Sequence, residues 1–372
     1  MNYDTVLFVV FLFSAVLLAG YYLAGVFFCR PRRVRNQQAA AETPEGLSVV
    51  VVSRNGLESL RALIPSLLAQ KHPKFEIVVV SDRSLDNTEI FLKSIQRNYP
   101  TVLRTVSVPV DTTYPWAGRK FAITMGVKAA QYQRIVLLDN TSVPNGEHWL
   151  DALAQAADRD TENEFLIACT IAASGGGLYR AEEFRRQCGE VAWAGAGMPF
   201  RARASNFVFR KSTFLSRNGY MRDIRVPSGE ADFLIQDYAT GRNTATVSSS
   251  HSLVTDASVS TPAQRRERDI ARWAAFRHYI PSAKAKAAVP YVLKTLFLLS
   301  AVAVALHGWA RWEYWAVLSV PLVFSCLAGW MCARYFSYPR WLAVGLGVDV
   351  VLLPCKLLRT LVAAAMLPKG WK

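Results

Sequence analysis

The sequence predicts an α/β domain with a mostly parallel central sheet, set between apolar helices at the two ends of the chain. Three observations predict it. Short continuous apolar runs alternate with segments of helical periodicity from Leu47 onward, an order that demands right-handed crossovers and parallel strands. Residues 6–28 and two stretches after residue 286 are almost wholly apolar and about long enough to cross a bilayer. The strand-like runs end in polar residues, above all Ile135-Val136-Leu137-Leu138-Asp139-Asn140-Thr141, at the carboxyl edge where open α/β sheets bind ligands.

Composition agrees. Of 372 residues, 52% are hydrophobic, and the excess lies at the two ends, so a globular middle is expected between membrane segments. The formal charge of +15 clusters beside the apolar segments, as at Arg30, Arg32, Arg33 and Arg35, which points to an anionic membrane face. With no zinc spacing, RNP-like motif or basic recognition helix, nucleic acid is excluded as a partner. Six cysteines include no CxxC pair, and Cys326 and Cys332 fall in or beside an apolar segment, so they are packing residues of a reducing compartment.

In chain order, residues 1–29 form an anchor. Its apolar run would span roughly 35 Å as a helix, longer than the core of a signal peptide, and no basic segment precedes it. The basic flank after Cys29 places Met1 outside and the following residues in the cytoplasm. Residues 30–46 are a basic and polar linker. Ser48-Val49-Val50-Val51-Val52 is then a buried strand, Leu57 to Gln70 a helix and Phe75 to Val80 a second strand, ending in Ser81-Asp82-Arg83-Ser84. A third unit runs from Val102 to Val108, and Trp116-Ala117-Gly118-Arg119-Lys120 opens a helix that ends near Ala130. Gly118 with two cations at a helix start suits a diphosphate, although Arg119 and Lys120 also fit a solvated helix face. Asp139 closes the next strand where a metal-bound phosphate would be held; Asp139 and Asn140 making a simple turn before Pro144 is the alternative.

Taken together, Ser48 to Thr88, the Gly118-Arg119-Lys120 helix, and the Asp139 turn followed by Val143-Pro144 and Trp149-Leu150 resemble glycosyltransferase family 2 in its GT-A nucleotide-sugar fold. The order and spacing carry the resemblance, which extends to the anchors before and after the domain. It implies that Arg54, Asn55 and Asp82 surround the nucleotide, that Lys120 approaches the nucleotide or diphosphate, and that Asp139 begins the family's Asp-x-Asp segment. That segment holds a divalent cation, Mg or Mn, on the sugar nucleotide.

The second half supplies candidates for chemistry. By the same resemblance, Ser205 to Lys211 is a strand beneath the acceptor site, and Pro227-Ser228-Gly229-Glu230-Ala231-Asp232 stands in the place of the acidic motif that furnishes the general base. An inverting transfer needs one carboxylate beside the acceptor hydroxyl. Glu230 and Asp232 both match, with Glu230 the first choice because it follows Gly229; a helix start capped by Ser228 is the structural reading of the same residues. Asp269-Ile270-Ala271-Arg272-Trp273 falls where membrane members carry Gln-x-x-Arg-Trp, which implies that Arg272 and Trp273 meet the acceptor or diphosphate. The surrounding Arg265, Arg266, Arg268 and Arg277 also describe a basic amphipathic helix lying on lipid.

The GT-A domain therefore runs over 47–280 and a membrane region over 281–372. The latter holds two spans, Ala287–Leu306 and Tyr314–Cys332, with Lys294 snorkelling from the first and Trp309, Trp312 and Trp315 at the outer interface. Trp341 onward, interrupted by Asp349, Pro354, Lys356 and Arg359, is an interfacial or re-entrant helix pair, with a further span as the alternative; Arg334, Arg340 and Lys369 fit the cytoplasmic side. No paired intramembrane charges offer a transport path. The expected protein is a cytoplasmic-membrane enzyme that moves a sugar, with inversion, from a nucleotide sugar to a lipid or glycan acceptor. Its departures from the family pattern, Asp139-Asn140-Thr141, Ser81-Asp82 and Arg54-Asn55-Gly56, leave a weakened scaffold subunit as the rival expectation.

Overall fold

A computed structural model of the chain describes residues 3–30, 45–109, 118–160, 162–308, 312–339, 341, 350 and 353–367. The flank Arg32, Arg33 and Arg35, linker residues 31–44, and Trp116, Trp309, Arg340, Asp349 and Lys369 lie outside the described residues.

Helix α1 (Tyr3–Cys29) precedes the alternating segment β1 (Leu47–Ser53), α2 (Leu57–Leu68), β2 (Phe75–Asp82), α3 (Thr88–Asn98), β3 (Leu103–Val108), α4 (Arg119–Ala129) and β4 (Arg134–Asp139). It continues through β5 (Ser142–Pro144), α5 (Trp149–Asp158), β6 (Phe165–Ala168), β7 (Thr170–Ala172), α6 (Gly176–Gly195), β8 (Phe207–Arg210), α7 (Lys211–Ser216), α8 (Glu230–Tyr238), β9 (Thr244–Val247) and β10 (Val254–Asp256). Among the described residues there follow α9 (Pro262–Arg277), α10 (Pro281–Gly308), α11 (Trp312–Tyr335) and, as labelled here, α12 (Leu353–Ala365).

The main sheet has the order β3-β2-β1-β4-β8-β6-β9. β1 to β4 are parallel, and β8 runs antiparallel to both β4 and β6. The valine-rich strands bury both faces, because successive side chains alternate across the sheet. Val49, Val51, Val79, Val136 and Leu138 pack with Leu60, Leu92 and Trp149 on one side, while Val50, Val52, Val80 and Leu137 pack with Ile123, Val127 and Leu234 on the other. Each fully buried Val, Ile or Leu contributes about 1.5–3 kcal/mol, so these layers fix the strand register. Helix α4 approaches the sheet closely at Gly126, where a Cβ would lie 2.6 Å from Val50 Cγ1. That close seat aims the start of α4 at the carboxyl edge of β4.

Two local readings are corrected. Pro144 does not end an isolated run, because Ser142-Val143-Pro144 is a strand pairing antiparallel with β10 in a second sheet of order β5-β10-β7. Proline is tolerated there because β5 is an edge strand. Ser228 does not cap α8: the N-cap is Gly229 at φ +83°, with no side-chain capping bond. A Cβ at Gly229 would also meet Phe233 Cε2 at 2.8 Å, so both the turn and the space favour glycine.

Helices α1, α10 and α11 are each long and apolar enough to cross a membrane. They pack as one group, with Phe11 stacked on Phe297 at 5.6 Å and the Ser14 and Ser300 hydroxyls 2.9 Å apart. Where α1 meets α6, Gly195 lies against the Phe28 carbonyl. Helix α12 has 13 residues, about 20 Å, which is short of a bilayer core. Lys294 does not snorkel: it is 5% exposed and faces an interior cavity.

Candidate active site

The carboxyl edge of β4 carries the chemistry. Asp139 ends the strand opposite Val52, and the start of α4 lies beside it. From there Arg119 donates to the Asp139 carboxylate, and its Nε lies 3.2 Å from Glu230 Oε1 at the start of α8. Strand end and two helix starts thus bring Asp139, Arg119 and Glu230 to one point of a cavity of about 1420 Å³.

Of the two cations that open α4, Arg119 is the one that lines this cleft, which corrects the expectation for Lys120. Consecutive helix residues point about 100° apart, so one faces the cleft and the next faces the core. Lys120 is 2% exposed; its ammonium donates to the Asp223 carbonyl at 2.9 Å and lies over the Phe233 ring at 4.2 Å. Burial pushes it down to about 8, against the opposing pull of Glu230, Asp223 and Asp232.

The two acidic candidates separate. Glu230 faces Arg119 and the cleft. Asp232 also borders the cavity, but its carboxylate accepts from the Ala202 N–H at 3.2 Å and from the Tyr279 hydroxyl. Burial pushes Asp232 up to about 6, opposed by Arg201 and the Tyr279 hydrogen bond. One carboxylate is aimed at the open space, whereas the other ties α8 to the loop before β8 and to the end of α9.

Arg54, Asn55 and Asp82 are not among the residues lining this cavity. They form a separate cluster beyond β1 and β2. Asn55, at φ +49°, accepts from the Leu85 N–H at 2.7 Å, and Asp82 is held by Arg83 at 2.8 and 3.0 Å. Gly56 stands there because a Cβ would overlap the Ser53 hydroxyl, which accepts from Asn140 at 3.1 Å. Arg272 lines the cavity, doubly bonded to Glu183 at 2.7 and 2.8 Å. Burial works to raise the Glu183 carboxyl, but Arg272, Arg203 and Arg186 hold it well below the usual range. Trp273 lines the cavity as well and stacks on Phe276. The basic residues of α9 turn inward in the main: Arg265 binds Glu182 at 2.6 Å, and Arg268 reaches Asp256 at 3.5 Å. Arg266 and Arg277 are the exposed pair. A helix laid on lipid by a basic face is therefore not what α9 is; its cations brace α6.

Sequence reasoning missed Glu183, Tyr279 and Asp256. Asp256 is placed by β10, whose pairing sets it against Ser142, and it accepts from Thr141 at 3.1 Å, from Ser258 at 2.9 and 2.7 Å, and from Arg268. Those donors occupy the capacity of a carboxylate. Asp139 is thus the accessible carboxylate at the turn, already paired with Arg119, and no group of three or more His, Cys, Asp or Glu among the described residues is placed to hold a metal. Among the described residues, the positive charge paired with the strand end is that of Arg119.

A mixed sheet of this order, with an acidic strand end facing a helix start and a second carboxylate, defines a GT-A glycosyltransferase domain carried on apolar helices. The family model for glycosyl transferase family 2 matches residues 48–218, so the α/β domain carries a family 2 glycosyltransferase segment. Among curated relatives, the poly-beta-1,6-N-acetyl-D-glucosamine synthase of Staphylococcus epidermidis is 25% identical over 138 residues, 36% of this chain and 32% of that relative. The synthase of Staphylococcus aureus strain COL matches at the same identity and coverage. The chain spans about a third of the length of the curated relatives it matches. Among solved structures, a mannosyltransferase from Pyrobaculum calidifontis in complex with GDP-Man and Mn2+ shares the fold, with a TM-score of 0.56, 16% identity, and coverage of 94% of this chain and 99% of that one.

Proposed function

We propose that this glycosyltransferase transfers a sugar, with inversion, from a nucleotide sugar to a hydroxyl acceptor that enters from the membrane side. The observation that carries the proposal is the meeting of Asp139, Arg119 and Glu230 in a cavity whose far wall is built by α1, α10 and α11. In this reading Glu230 takes the proton of the acceptor hydroxyl as its oxygen attacks the anomeric carbon. The bond from that carbon to the diphosphate breaks, and its electron pair leaves with the nucleoside diphosphate. Arg119, released from Asp139 by the donor, supplies positive charge to the leaving group. Arg54, Asn55 and Asp82 take the nucleotide, and Arg272 and Trp273 flank the path of the acceptor. A Mg or Mn ion carried in with the donor would meet the protein at Asp139, with the remaining oxygens from the diphosphate.

In this reading the catalytic domain lies on the cytoplasmic face of an inner membrane, which the basic flank after Cys29 supports. A reporter inserted within Gln37–Gly46 should score as cytoplasmic. The chemistry is tested by screening nucleotide sugars for thermal stabilisation of the purified chain and then measuring release of nucleoside diphosphate. Stabilisation by one sugar nucleotide with turnover is expected; binding and turnover with none would overturn the proposal.

A further inference from the structure

The cavity that holds Glu230 is walled along α6, and along the loop that leads from α6 toward β8, by Glu190, Trp193, Phe200 and Arg201. The proposed chemistry leaves these residues without a task. Glu190 and Trp193 stand three positions apart on α6, so they share a helix face. Glu190 is 2% exposed, and its Oε1 lies 2.9 Å from Arg201 Nε. That contact is a charge pair without an aligned hydrogen bond, because neither Arg201 Nε nor Glu190 Oε2 has a hydrogen-bond partner among the described residues. A donor and an acceptor left unsatisfied side by side in a buried pair are costly, and they call for a ligand or an ordered water. Arg201 also stands over the Phe200 ring at 5.3 Å, and Trp193 meets that ring edge to face at 6.2 Å. The next residue, Ala202, donates its N–H to Asp232, two positions after Glu230. The loop thus ties the pair to the helix that carries the proposed base.

The chemistry of the pair narrows what can fill it. A carboxylate only accepts and a guanidinium only donates, so one atom that joins them must do both, which a hydroxyl does and a carboxylate or an ammonium does not. Charge agrees. Arg186 and Arg203, the other cations in electrostatic range, are themselves held by Glu183, and Asp232 acts on Arg201 from the opposite side. Cations and carboxylates alternate here, so an ion of either sign meets repulsion as well as attraction, whereas a neutral hydroxyl keeps both bonds. Each of those bonds polarises the other, which strengthens the pair of them. Trp193, half-buried in the same wall, adds the apolar surface and polar edge of an indole, which suit the two kinds of surface on a sugar ring.

We infer that Glu190 and Arg201 form a hydroxyl-reading subsite for an uncharged sugar ring packed against Trp193, and that this ring is the part of the acceptor that presents its reacting hydroxyl to Glu230. This deepens the proposed function and rests on it for the role of the ring as acceptor. The hydroxyl held by Glu190 and Arg201 undergoes no change. A second hydroxyl of the ring loses its proton to Glu230, its oxygen forms the new bond to the donor's anomeric carbon, and the electron pair of the broken bond leaves with the nucleoside diphosphate.

The test uses the purified full chain in phosphatidylcholine nanodiscs with three kinds of probe: the hexyl glycosides of glucose, galactose, mannose and N-acetylglucosamine; hexyl tetrahydropyranyl ether, a ring without hydroxyls; and a phosphorylated hexyl glucoside. Binding is followed by calorimetry. At least one glycoside should bind about tenfold or more tighter than the ether, the factor set by roughly one charge-assisted hydrogen bond, and the added phosphate should not tighten it. Glu190→Met and Arg201→Met should each abolish that preference with little change in ether binding. Glu190→Gln, which keeps an acceptor oxygen without the charge, should retain part of it, and Arg266→Gln on the exposed face of α9 should leave it whole. Equal binding of the ether and every glycoside, tighter binding of the phosphorylated glucoside, or a preference that survives in both methionine variants would each overturn the inference; the first is also what a pair bridged only by an ordered water gives. Where the methionine variants do not fold, Glu190→Gln decides, and a preference unchanged from the wild type overturns the inference. Nucleoside diphosphate release is read alongside with each nucleotide sugar. Preference without release sinks the proposed function, and with it the ring's role as acceptor, while the sugar subsite stands; release without preference overturns the subsite and leaves the proposed function standing.

Discussion

Glu230→Gln separates a proton acceptor from a structural acid. The substitution keeps the size of the side chain and a hydrogen-bonding oxygen toward Arg119, which also retains its bond to Asp139. The lost ion pair has partners with side chains 32% and 10% exposed, a setting in which a pair contributes below about 1 kcal/mol to folding. The thermal midpoint and nucleotide-sugar binding should therefore change little. Turnover should not survive: loss of a general base costs about 10²–10⁴-fold, or roughly 2.7–5.5 kcal/mol of barrier at about 1.36 kcal/mol per decade. Asp232→Asn should do the opposite. Its carboxylate anchors the Ala202 N–H and the Tyr279 hydroxyl, and charge-assisted bonds contribute roughly 1.5–3 kcal/mol each, so stability should fall while turnover drops less than about tenfold. The assay is nucleoside diphosphate release at saturating donor, paired with thermal unfolding. Near-normal turnover in Glu230→Gln, with a hundredfold or greater loss in Asp232→Asn at an unchanged midpoint, would transfer the role to Asp232, a threshold set at about the low end of general-base effects.

Arg119→Ala removes the cation that joins Asp139 to Glu230 and should weaken donor binding by about 10–100-fold, whereas Lys120→Met should leave it within a few fold; nucleotide-sugar titration by thermal shift compares them. Lys120 also makes a pH prediction. Its folded-state value of about 8 lies below the ordinary lysine value of 10.5, so the unfolded chain binds the extra proton between them, and its contribution to stability rises as pH climbs through that window. Denaturation at about pH 7.5 and 9.5 should show that rise in the wild type and its loss in Lys120→Met. Gly195→Ala should destabilise the packing of α6 on α1 by about 1–3 kcal/mol, because the new Cβ overlaps the Phe28 carbonyl; Gly189→Ala on the same helix, where a Cβ meets nothing within 4 Å, is the control in thermal unfolding.

The sequence by itself determined the α/β layout, the parallel strands β1 to β4 and the long apolar helices, because these depend on periodicity and run length. A strand such as Ser48-Val49-Val50-Val51-Val52 must be buried on both faces wherever it goes, and residues 6–28 cannot be left in water. It also brought Asp139, Glu230 and Arg272 into view as chemistry-bearing residues, through motif order and spacing. Tertiary structure alone decided which neighbour faces the cleft. Arg119 and Lys120 are adjacent and alike in charge, and only the seat of α4 on Val50 and Val80 turns one to Asp139 and the other to the core. The same holds for Glu230 and Asp232, two residues apart, one meeting Arg119 from α4 and the other Tyr279 from α9. Partners from 47 to 115 positions away, as for Tyr279 with Asp232 and Asp256 with Thr141, leave no mark in local pattern. The setting of Lys294 lies furthest from what the sequence discloses, since helices separated along the chain must pack around α10 before that lysine can face a cavity instead of lipid.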